Sequence, residues 1–302
     1  MVIVLAYAES RCFTAFIDIL GISDLIERNL EIARDKLSLF HDHVRKFIAM
    51  SPEGLKQTVA FSDCVVLVWS DLDKAIDGCT KLFNLVFDAN GALFERYYAD
   101  HYKYRAILLR GAISEGSLEL EDEEVNTGSI QKFIFGSALS RSAKGEGLLK
   151  GSRLTILGDI HHENTYLEEL TINPRGKQVR EIHWPMLRTD QRFSEKIKWI
   201  MSLCDLYSKD NQNVCKHYRD TLWVFARSLD KLNDDNLVID FISLLEQHPN
   251  INLKTPYWSP ISLCVADILI KKPRLKTYFE DADNFIHTAM IMSSLKLMEN
   301  IE

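Results

Sequence analysis

Two aspartates stand alone inside apolar, strand-forming segments of this chain. Asp18 lies in the segment 13–23 and Asp63 in the segment 59–68. Burying an ionised carboxylate without a counter-charge is unfavourable, and carboxylate oxygens are the ligands that Mg²⁺ and Mn²⁺ prefer. If the two strands pair, the two aspartates form a binding site for divalent metal ions. The alternative interpretation is that Asp63 is a turn residue and Asp18 a cap close to a helix start.

The elements that must position these aspartates are strands separated by helices. Residues 12–20 predict a buried strand, and residues 56–61 and 64–69 predict a hairpin with Ser62 and Asp63 at its turn. Helical periodicity follows the first strand from about residue 24 to 49 and follows the hairpin after Asp71.

The next segments predict a second set of strands and one helix. Residues 104–113 and 116–120 predict a strand pair around Ser114 and Glu115, and the acidic run 119–124 predicts a solvated loop. A helix is predicted from about Gly136 to residues 145–147. Three more predicted strands follow, at 152–157, 165–172 and 178–184, with a turn at 174–177 between the last two.

Helical patterns replace strand patterns from about residue 190, which predicts two domains. Residues 1–188 form an α+β domain with the element order of a ferredoxin-like palm, and residues 189–302 form a C-terminal helical extension.

Composition limits the possible partners of the chain. A net charge of −7 argues against nucleic-acid binding, which relies on basic surface, and no apolar window approaches the ~18 residues that a membrane-spanning helix needs. None of the six cysteines forms a C-x-x-C pair, so no zinc site is predicted. Reduced cysteines in apolar segments favour a cytoplasmic protein without membrane insertion.

Four short motifs occur in order along the α+β part. They are residues 18–21 (Asp-hydrophobic-x-Gly), residues 61–63 (Phe-Ser-Asp), residues 110–116 (beginning Arg-Gly-x-Ile-Ser) and residues 135–138 (Phe-Gly-x-Ala). Together they resemble the catalytic domain of the class III nucleotide cyclases over about residues 11–185. The pattern is closest to the pyrimidine cyclases of bacterial Pycsar antiphage defence, although Ser62 stands where the family usually has Gly.

The resemblance implies an enzyme that converts CTP or UTP to a 3′,5′-cyclic nucleotide and pyrophosphate, as a second messenger in antiphage defence. It implies two Mg²⁺ or Mn²⁺ ions held by Asp18, Asp63 and the Ile19 carbonyl. It also implies a homodimer with its active site at the subunit interface. The triphosphate would meet the main-chain N–H groups at a helix start, those of Leu20, Gly21, Ile22 and Ser23.

Other positions depart from the family pattern. Relatives carry Asn and then Arg on the third helix, where this chain has Ser140 and Lys144; Arg141, one turn from Lys144, is a possible substitute. Lysine keeps the charge of arginine but loses its bidentate fork. A solvated basic helix face is the alternative interpretation.

Two further sets of residues follow from the same resemblance. The positions that select the base hold Val59 and Phe133, which cannot hydrogen-bond a purine edge. An apolar, narrower pocket fits a pyrimidine, and a degenerate site that binds no base well is the alternative. Lys177, with Arg175, resembles the family's phosphate-binding lysine loop, and a surface hairpin is the alternative.

A catalytically lapsed cyclase-fold dimer that binds nucleotides or a partner is the main functional alternative. Ser140 and Lys144 favour it, and the presence of both aspartates opposes it. A cyclic-dinucleotide synthase is disfavoured because the chain lacks a Gly-Gly-Asp/Glu-Phe hairpin.

Overall fold

The computed structural model forms two compact units, Met1–Leu187 and Arg188–Glu302. The predicted boundary after residue 188 lies next to this division, while the roles of the two units stay predictions. The structure describes residues 5–96, 106–125, 129–158, 167–172, 177–187, 193–208, 212–231, 234–279 and 282–299.

The first unit is a sheet flanked by helices. Its described strands are β1 (Leu5–Ile19), β2 (Leu55–Phe61), β3 (Cys64–Trp69), β4 (Leu109–Val125), β5 (Ser129–Phe135), β6 (Leu154–Leu157), β7 (Leu167–Ile172) and β8 (Lys177–Ile182). Its described helices are α1 (Ile22–Arg28), α2 (Leu30–Ala49), α3 (Leu72–Arg96), α4 (Ser137–Glu146) and the 3₁₀ turn Trp184–Leu187.

The strand order is β2-β3-β1-β4-β6-β8-β7, with β5 paired to β4. Strands β2, β3, β1 and β4 are antiparallel neighbours, whereas β4 and β6 are parallel. The central order β4-β1-β3-β2 with helices in the crossovers is that of a ferredoxin-like palm. The predicted α+β class is therefore confirmed.

The two faces of the sheet carry different residues because side chains alternate along a strand. Phe16 and Asp18 of β1 share a face with Ala112 and Ser114 of β4, because Phe16 is paired with Ala112 and Thr14 with Ser114. Helix α4 packs on this face, where Ser114 Oγ donates to the Ala138 carbonyl at 2.5 Å. Helix α3 packs on the opposite face against Trp69 of β3, which is fully buried.

The predicted single helix over residues 24–49 is wrong, because it divides at Asn29. Asn29 has an extended backbone (φ −155°, ψ 91°), and its side-chain oxygen accepts from the Ile32 N–H at 3.1 Å. This is an N-cap interaction, and asparagine is among the residues that favour that position. The chain therefore starts α2 anew after the short helix α1.

The predicted strand pair around Ser114 and Glu115 is also wrong. Strand β4 runs without interruption through both residues and through the acidic run 119–124, which was predicted as a loop. That run lies between two partners, since β1 pairs with Glu119 to Asp122 on one side and β5 with the same residues on the other. Pairing on both sides overrides the low strand propensity of acidic residues. The predicted turn at 174–177 falls mostly outside the described residues.

The described part of the second unit is helical. Its helices are α5 (Phe193–Ser208), α6 (Gln212–Lys231), α7 (Asp235–Gln247), α8 (Ser259–Lys271) and α9 (Ala282–Glu299), with 3₁₀ turns at Pro256–Trp258 and Pro273–Tyr278. Their core includes Trp199, Phe225 and Phe241, which are almost fully buried. Among all the helices of the described residues, none combines the length and the apolar character that crossing a membrane requires.

Candidate metal and nucleotide site

The two lone aspartates lie at the same end of the sheet. Asp18 is the penultimate residue of β1 and is paired in register with Cys64 of β3 and Arg110 of β4. Asp63 occupies the two-residue turn between β2 and β3. The Ile19 N–H donates to the Asp63 carbonyl at 3.1 Å, which ties the end of β1 to this turn. Antiparallel pairing thus brings together two carboxylates that are 45 positions apart in the chain.

The charge of Asp18 is poorly compensated within the chain. Burial, followed by the neighbouring charge of Asp63, raises the pKa of Asp18 from 3.8 to about 6, although the Arg110 guanidinium opposes this rise. The side chain of Asp18 is only 15% exposed. A divalent cation between two such carboxylates would remove the repulsion that raises the pKa.

The donor chemistry at this point fits Mg²⁺ or Mn²⁺. Asp18 and Asp63 offer carboxylate oxygens, which hard divalent cations prefer. Over the described residues, no group of three or more His, Cys, Asp or Glu side chains is placed to hold a metal. A metal bound here would therefore need further ligands from main-chain carbonyls, substrate phosphates or water, as Mg²⁺ sites commonly do. The Ile19 carbonyl stays a predicted ligand.

The predicted phosphate-binding segment forms the sharp bend between β1 and α1. Gly21 is left-handed (φ 73°), and a Cβ added there would meet no atom within 4 Å, so the bend faces open space. The Leu20 N–H donates to the Leu108 carbonyl at 2.9 Å and is already engaged. Ile22 is buried and Ser23 exposed. That the N–H groups of residues 21–23 contact phosphate stays a prediction.

Arg110 and Glu146 are two charged residues of the site that the sequence analysis did not assign. Arg110 Nη2 lies 3.3 Å from Asp18 Oδ2, and Arg110 Nε forms an ion pair with Glu146 at the end of α4. The three side chains are 10–25% exposed, so the charges are largely removed from water. The sequence contained a signal for Arg110, because this charged residue interrupts an apolar strand as Asp18 does. Glu146 lies at the polar end of a helix, where a glutamate indicates no particular role.

The predicted catalytic residues of α4 are solvent-exposed. Ser140, Arg141 and Lys144 all lie at the surface. Arg141 Nη1 donates to the Glu115 carbonyl at 3.0 Å, and none of the three forms a hydrogen bond or ion pair with Asp18 or Asp63 in the described residues. The single chain therefore does not bring these cations to the carboxylates.

The predicted base-binding residues are placed in part. Val59 of β2 is half-buried and packs, with Phe16, Ile134 and Leu139, against a cluster made of Cys12, Val66, Val68, Leu118 and Ala138. Phe133 lies in β5 in register with Glu121, and Lys177 begins β8 opposite Ile172. The side chains of Phe133 and Lys177 lie outside the described residues.

Removing the charge of Asp18 should stabilise the metal-free protein at neutral pH. A carboxyl whose pKa is raised by folding contributes stability that is full below pH 4 and is lost as the pH rises through about 6. Asp18→Asn avoids this loss, so we expect a gain of about 1–2 kcal/mol at pH 7.5 and none at pH 4, after discounting for solvent and for the weakened Arg110 contact.

Urea denaturation in the presence of EDTA at the two pH values measures this difference. The exposed Asp24 of α1 provides the control. Asp24→Asn removes a charge from the first turn of the helix and should lower the free energy of unfolding by less than about 1 kcal/mol at pH 7.5, the opposite sign to Asp18→Asn. A loss of stability in Asp18→Asn at pH 7.5 would instead show that Asp18 serves chiefly as the partner of Arg110.

Among known proteins, only solved structures show similarity to this chain. No protein-family model and no curated protein matches the sequence. Similar solved structures include a double mutant of the guanylyl cyclase domain of the RhoGC fusion protein from the aquatic fungus Blastocladiella emersonii (11% identity, 59% of this chain, 96% of that chain, TM-score 0.43). A second is the guanylate cyclase domain of RhGC from Catenaria anguillulae with GTP (12% identity, 58% of this chain, 97% of that chain, TM-score 0.44).

A bacterial light-regulated adenylyl cyclase is also similar, at 13% identity over 65% of this chain and 99% of that chain, with a TM-score of 0.45. Values this low assign neither a family nor an activity. The fold is defined here by the chain's own strand order and register.

Proposed function

We propose that the first unit is a nucleotide cyclase that converts a nucleoside triphosphate to a 3′,5′-cyclic nucleotide and pyrophosphate. One observation carries this proposal: the palm-ordered sheet brings Asp18 and Asp63 together, close enough for one charge to raise the pKa of the other carboxyl. The four motifs described above, in their order along the chain, support the same reaction.

The reaction is an intramolecular phosphoryl transfer. The ribose 3′-oxygen forms a bond to the α-phosphorus, the bond from that phosphorus to the bridging oxygen of pyrophosphate breaks, and the 3′-hydroxyl proton leaves to solvent or base. Two Mg²⁺ or Mn²⁺ ions held by Asp18, Asp63 and the Ile19 carbonyl would supply charge neutralisation and activation of the 3′-oxygen. Asp18 is oriented for this by Arg110, which Glu146 holds from the other side.

The cations for the pentavalent phosphate would come from a second copy of the chain. Arg141 and Lys144 are exposed on one side of α4, and within the described residues neither forms a hydrogen bond or ion pair with Asp18 or Asp63. A C2 dimer would place the α4 of one subunit opposite the Asp18 and Asp63 of the other, giving two equivalent shared sites. Ser140, on the same exposed surface, would contact the ribose.

A pyrimidine triphosphate is the proposed substrate. Val59 lies among apolar side chains and offers no donor or acceptor to a purine edge, and Phe133 has none to offer. The product would be cCMP or cUMP, acting as a cytoplasmic signal in antiphage defence; the motif resemblance supports this role.

Incubation of the full chain with each of the four NTPs and Mn²⁺, followed by mass identification of the products, tests the reaction. A 3′,5′-cyclic nucleotide with stoichiometric pyrophosphate is expected. Hydrolysis to a linear monophosphate, or a dinucleotide product, would contradict the proposal.

The same experiment compares the four bases. We expect CTP or UTP to be converted at least about tenfold faster than ATP or GTP, because a site that lacks partners for the purine edge gains nothing from binding it. The competition of all four NTPs in one reaction gives the ratio directly. A preference for ATP or GTP would remove the pyrimidine assignment and leave the cyclase assignment intact.

A lapsed cyclase that only binds nucleotide is the second candidate, favoured by Ser140 and Lys144 in place of Asn and Arg. It predicts that NTPs raise the melting temperature without any product. Restoring the family pattern with Ser140→Asn and Lys144→Arg together would then create activity that the natural chain lacks.

A further inference from the structure

The turn that carries Asp63 has a backbone conformation that its sequence does not favour. Ser62 has φ +51°, in the left-handed region, and is one of two non-glycine residues with positive φ in the described part of the chain. This region is unfavourable for residues with a Cβ and is routine for glycine. The other interactions of the turn must therefore hold Ser62 in place.

The imidazole of His41 contacts this residue from helix α2. His41 Nε2 lies 2.8 Å from the Ser62 carbonyl oxygen. Since a carbonyl oxygen only accepts, Nε2 carries the proton and donates. The Nε2–H group exists in both the imidazolium and one neutral tautomer, so the hydrogen bond does not depend on the charge of the ring.

The imidazole is itself held by its surroundings. His41 is half-buried, and its ring lies 5.5 Å from the ring of Phe40, which is fully buried. The hydrogen bond to Ser62 itself lies at the solvent-exposed side of the turn. Helix α2 begins at the Asn29 cap. The position of this start determines which residues of α2 face the turn, and His41 is one of them.

The remaining contacts of the turn place Asp63 relative to β1. The Asp63 carbonyl accepts from the Ile19 N–H at 3.1 Å, and Cys64 Sγ donates to the Phe61 carbonyl at 3.4 Å. Among the described residues, the hydrogen bond from His41 ties this turn to a helix. A shift of Ser62 would move Asp63 away from Asp18.

We propose that His41 is a positioning residue that holds the strained Ser62 turn so that the Asp63 carboxylate stays beside Asp18. In this role His41 acts through the Ser62 carbonyl, and it compensates for the serine that this chain carries at a position where glycine would be unstrained. The importance of Asp63 for the metal rests on the proposed function, while the constraint on the turn does not.

Three variants separate this role from a simple surface contact. His41→Ala removes the donor. His41→Gln places an amide N–H near the position of Nε2. His41→Ala/Ser62→Gly combines the loss with a residue that adopts positive φ without strain. Arg45→Ala, one helical turn after His41, is the matched control for a lost polar side chain; its partner is Asp42 and not the Ser62 carbonyl.

Two readouts are measured on the full chain. Amide hydrogen exchange at Ile19 and at residues 62–64 reports on the turn, because the Ile19 N–H is bonded to the Asp63 carbonyl. The Mn²⁺ concentration that gives half of the metal-induced rise in melting temperature reports on the carboxylate pair, and the Mn²⁺ dependence of cyclisation repeats this with substrate.

His41→Ala should exchange about tenfold faster at these amides and require about tenfold more Mn²⁺, the usual effect of removing a residue that orients a ligand. His41→Gln should restore both values to within about threefold of the natural chain. In a chain that also carries Ser62→Gly, replacing His41 should change the exchange rates and the Mn²⁺ requirement much less. Arg45→Ala should change neither readout.

The proposal is overturned if His41→Ala matches Arg45→Ala in exchange, or if exchange rises while the Mn²⁺ requirement stays unchanged. It is also overturned if His41→Gln behaves as His41→Ala while keeping the natural melting temperature. If the natural chain forms no cyclic nucleotide from any NTP, the proposed function fails, and exchange with the Mn²⁺-induced thermal shift still decides the role of His41.

Discussion

Asp18→Asn and Asp63→Asn are each expected to lower the rate of cyclic nucleotide formation by about a thousandfold or more, since each removes one negative charge that holds a metal at the transition state. The fold should survive both changes. Asn is nearly isosteric with Asp, and both the Asp63 carbonyl bond to Ile19 and the pairing of β1 are main-chain interactions.

Initial rates with CTP or UTP at saturating Mn²⁺, with melting temperatures measured on the same samples, test this expectation. Asp24→Asn on α1 serves as the control, because Asp24 is an exposed carboxylate close in the chain to Asp18 but outside the pair. Near-natural activity in either variant would remove that aspartate from the metal site. Asp18→Asn should in addition be inactive and more stable in EDTA, a combination that a purely structural carboxylate does not give.

The elements that bear the two aspartates could be predicted because their signals are local. The run of apolar, β-branched residues in β3 is buried on both faces, as a central strand requires, and the Ser62 and Asp63 turn separates it from β2 at the predicted place. The helix start after Gly136 was also predicted. In the structure Gly136 has φ 151°, and an added Cβ would lie 2.2 Å from the Ser117 carbonyl oxygen, so the position requires glycine.

The interactions that complete the site could not be predicted, because they join residues distant in sequence. Glu146 meets Arg110 only because α4 returns over β4, and no periodicity in either segment indicates the other. The same holds for His41 and Ser62, which are 21 positions apart. The error in β4 has the same origin, since its acidic stretch is ordered by pairing with β1 and β5.

Arg110 links the metal carboxylates of the proposed site to helix α4. Its guanidinium contacts Asp18 on one side and Glu146 on the other, and Glu146 lies two residues beyond Lys144 on α4. The helix that would offer cations to a partner is thereby linked to the metal carboxylates of its own chain. A change at Arg110 should therefore affect both half-sites of a dimer.

Two inactive chains are expected to regain activity when mixed, if the site is shared between subunits. One chain carries Asp63→Asn and lacks a metal carboxylate; the other carries Arg141→Ala and Lys144→Ala and lacks the α4 cations. Each homodimer has two defective sites. A mixed C2 dimer has one site with both defects and one with intact carboxylates and intact cations, so the isolated mixed dimer should have about half of natural activity and an unfractionated mixture about a quarter.

The experiment requires proof that subunits exchange. Differently tagged chains are co-expressed, the mixed dimer is isolated through both tags in sequence, and its rate is compared with those of the two parent homodimers. A chain carrying Lys150→Ala in place of the two α4 substitutions is the control for a lost surface charge, because Lys150 is an exposed lysine just beyond α4. That chain should be active by itself.

The outcome distinguishes the two ways of building the site, because the structure places Arg141 and Lys144 at the surface with no bond to the carboxylates of their own chain. If isolated mixed dimers have no activity above the parents, the two cations serve the carboxylates of their own chain or have no part in the reaction. If the double α4 variant is itself active, the transition-state charge is supplied elsewhere, and Arg141 then acts through its bond to the Glu115 carbonyl, as an anchor between α4 and β4. Activity recovered only in the doubly tagged fraction establishes that one chain supplies the metal carboxylates and its partner supplies the cations.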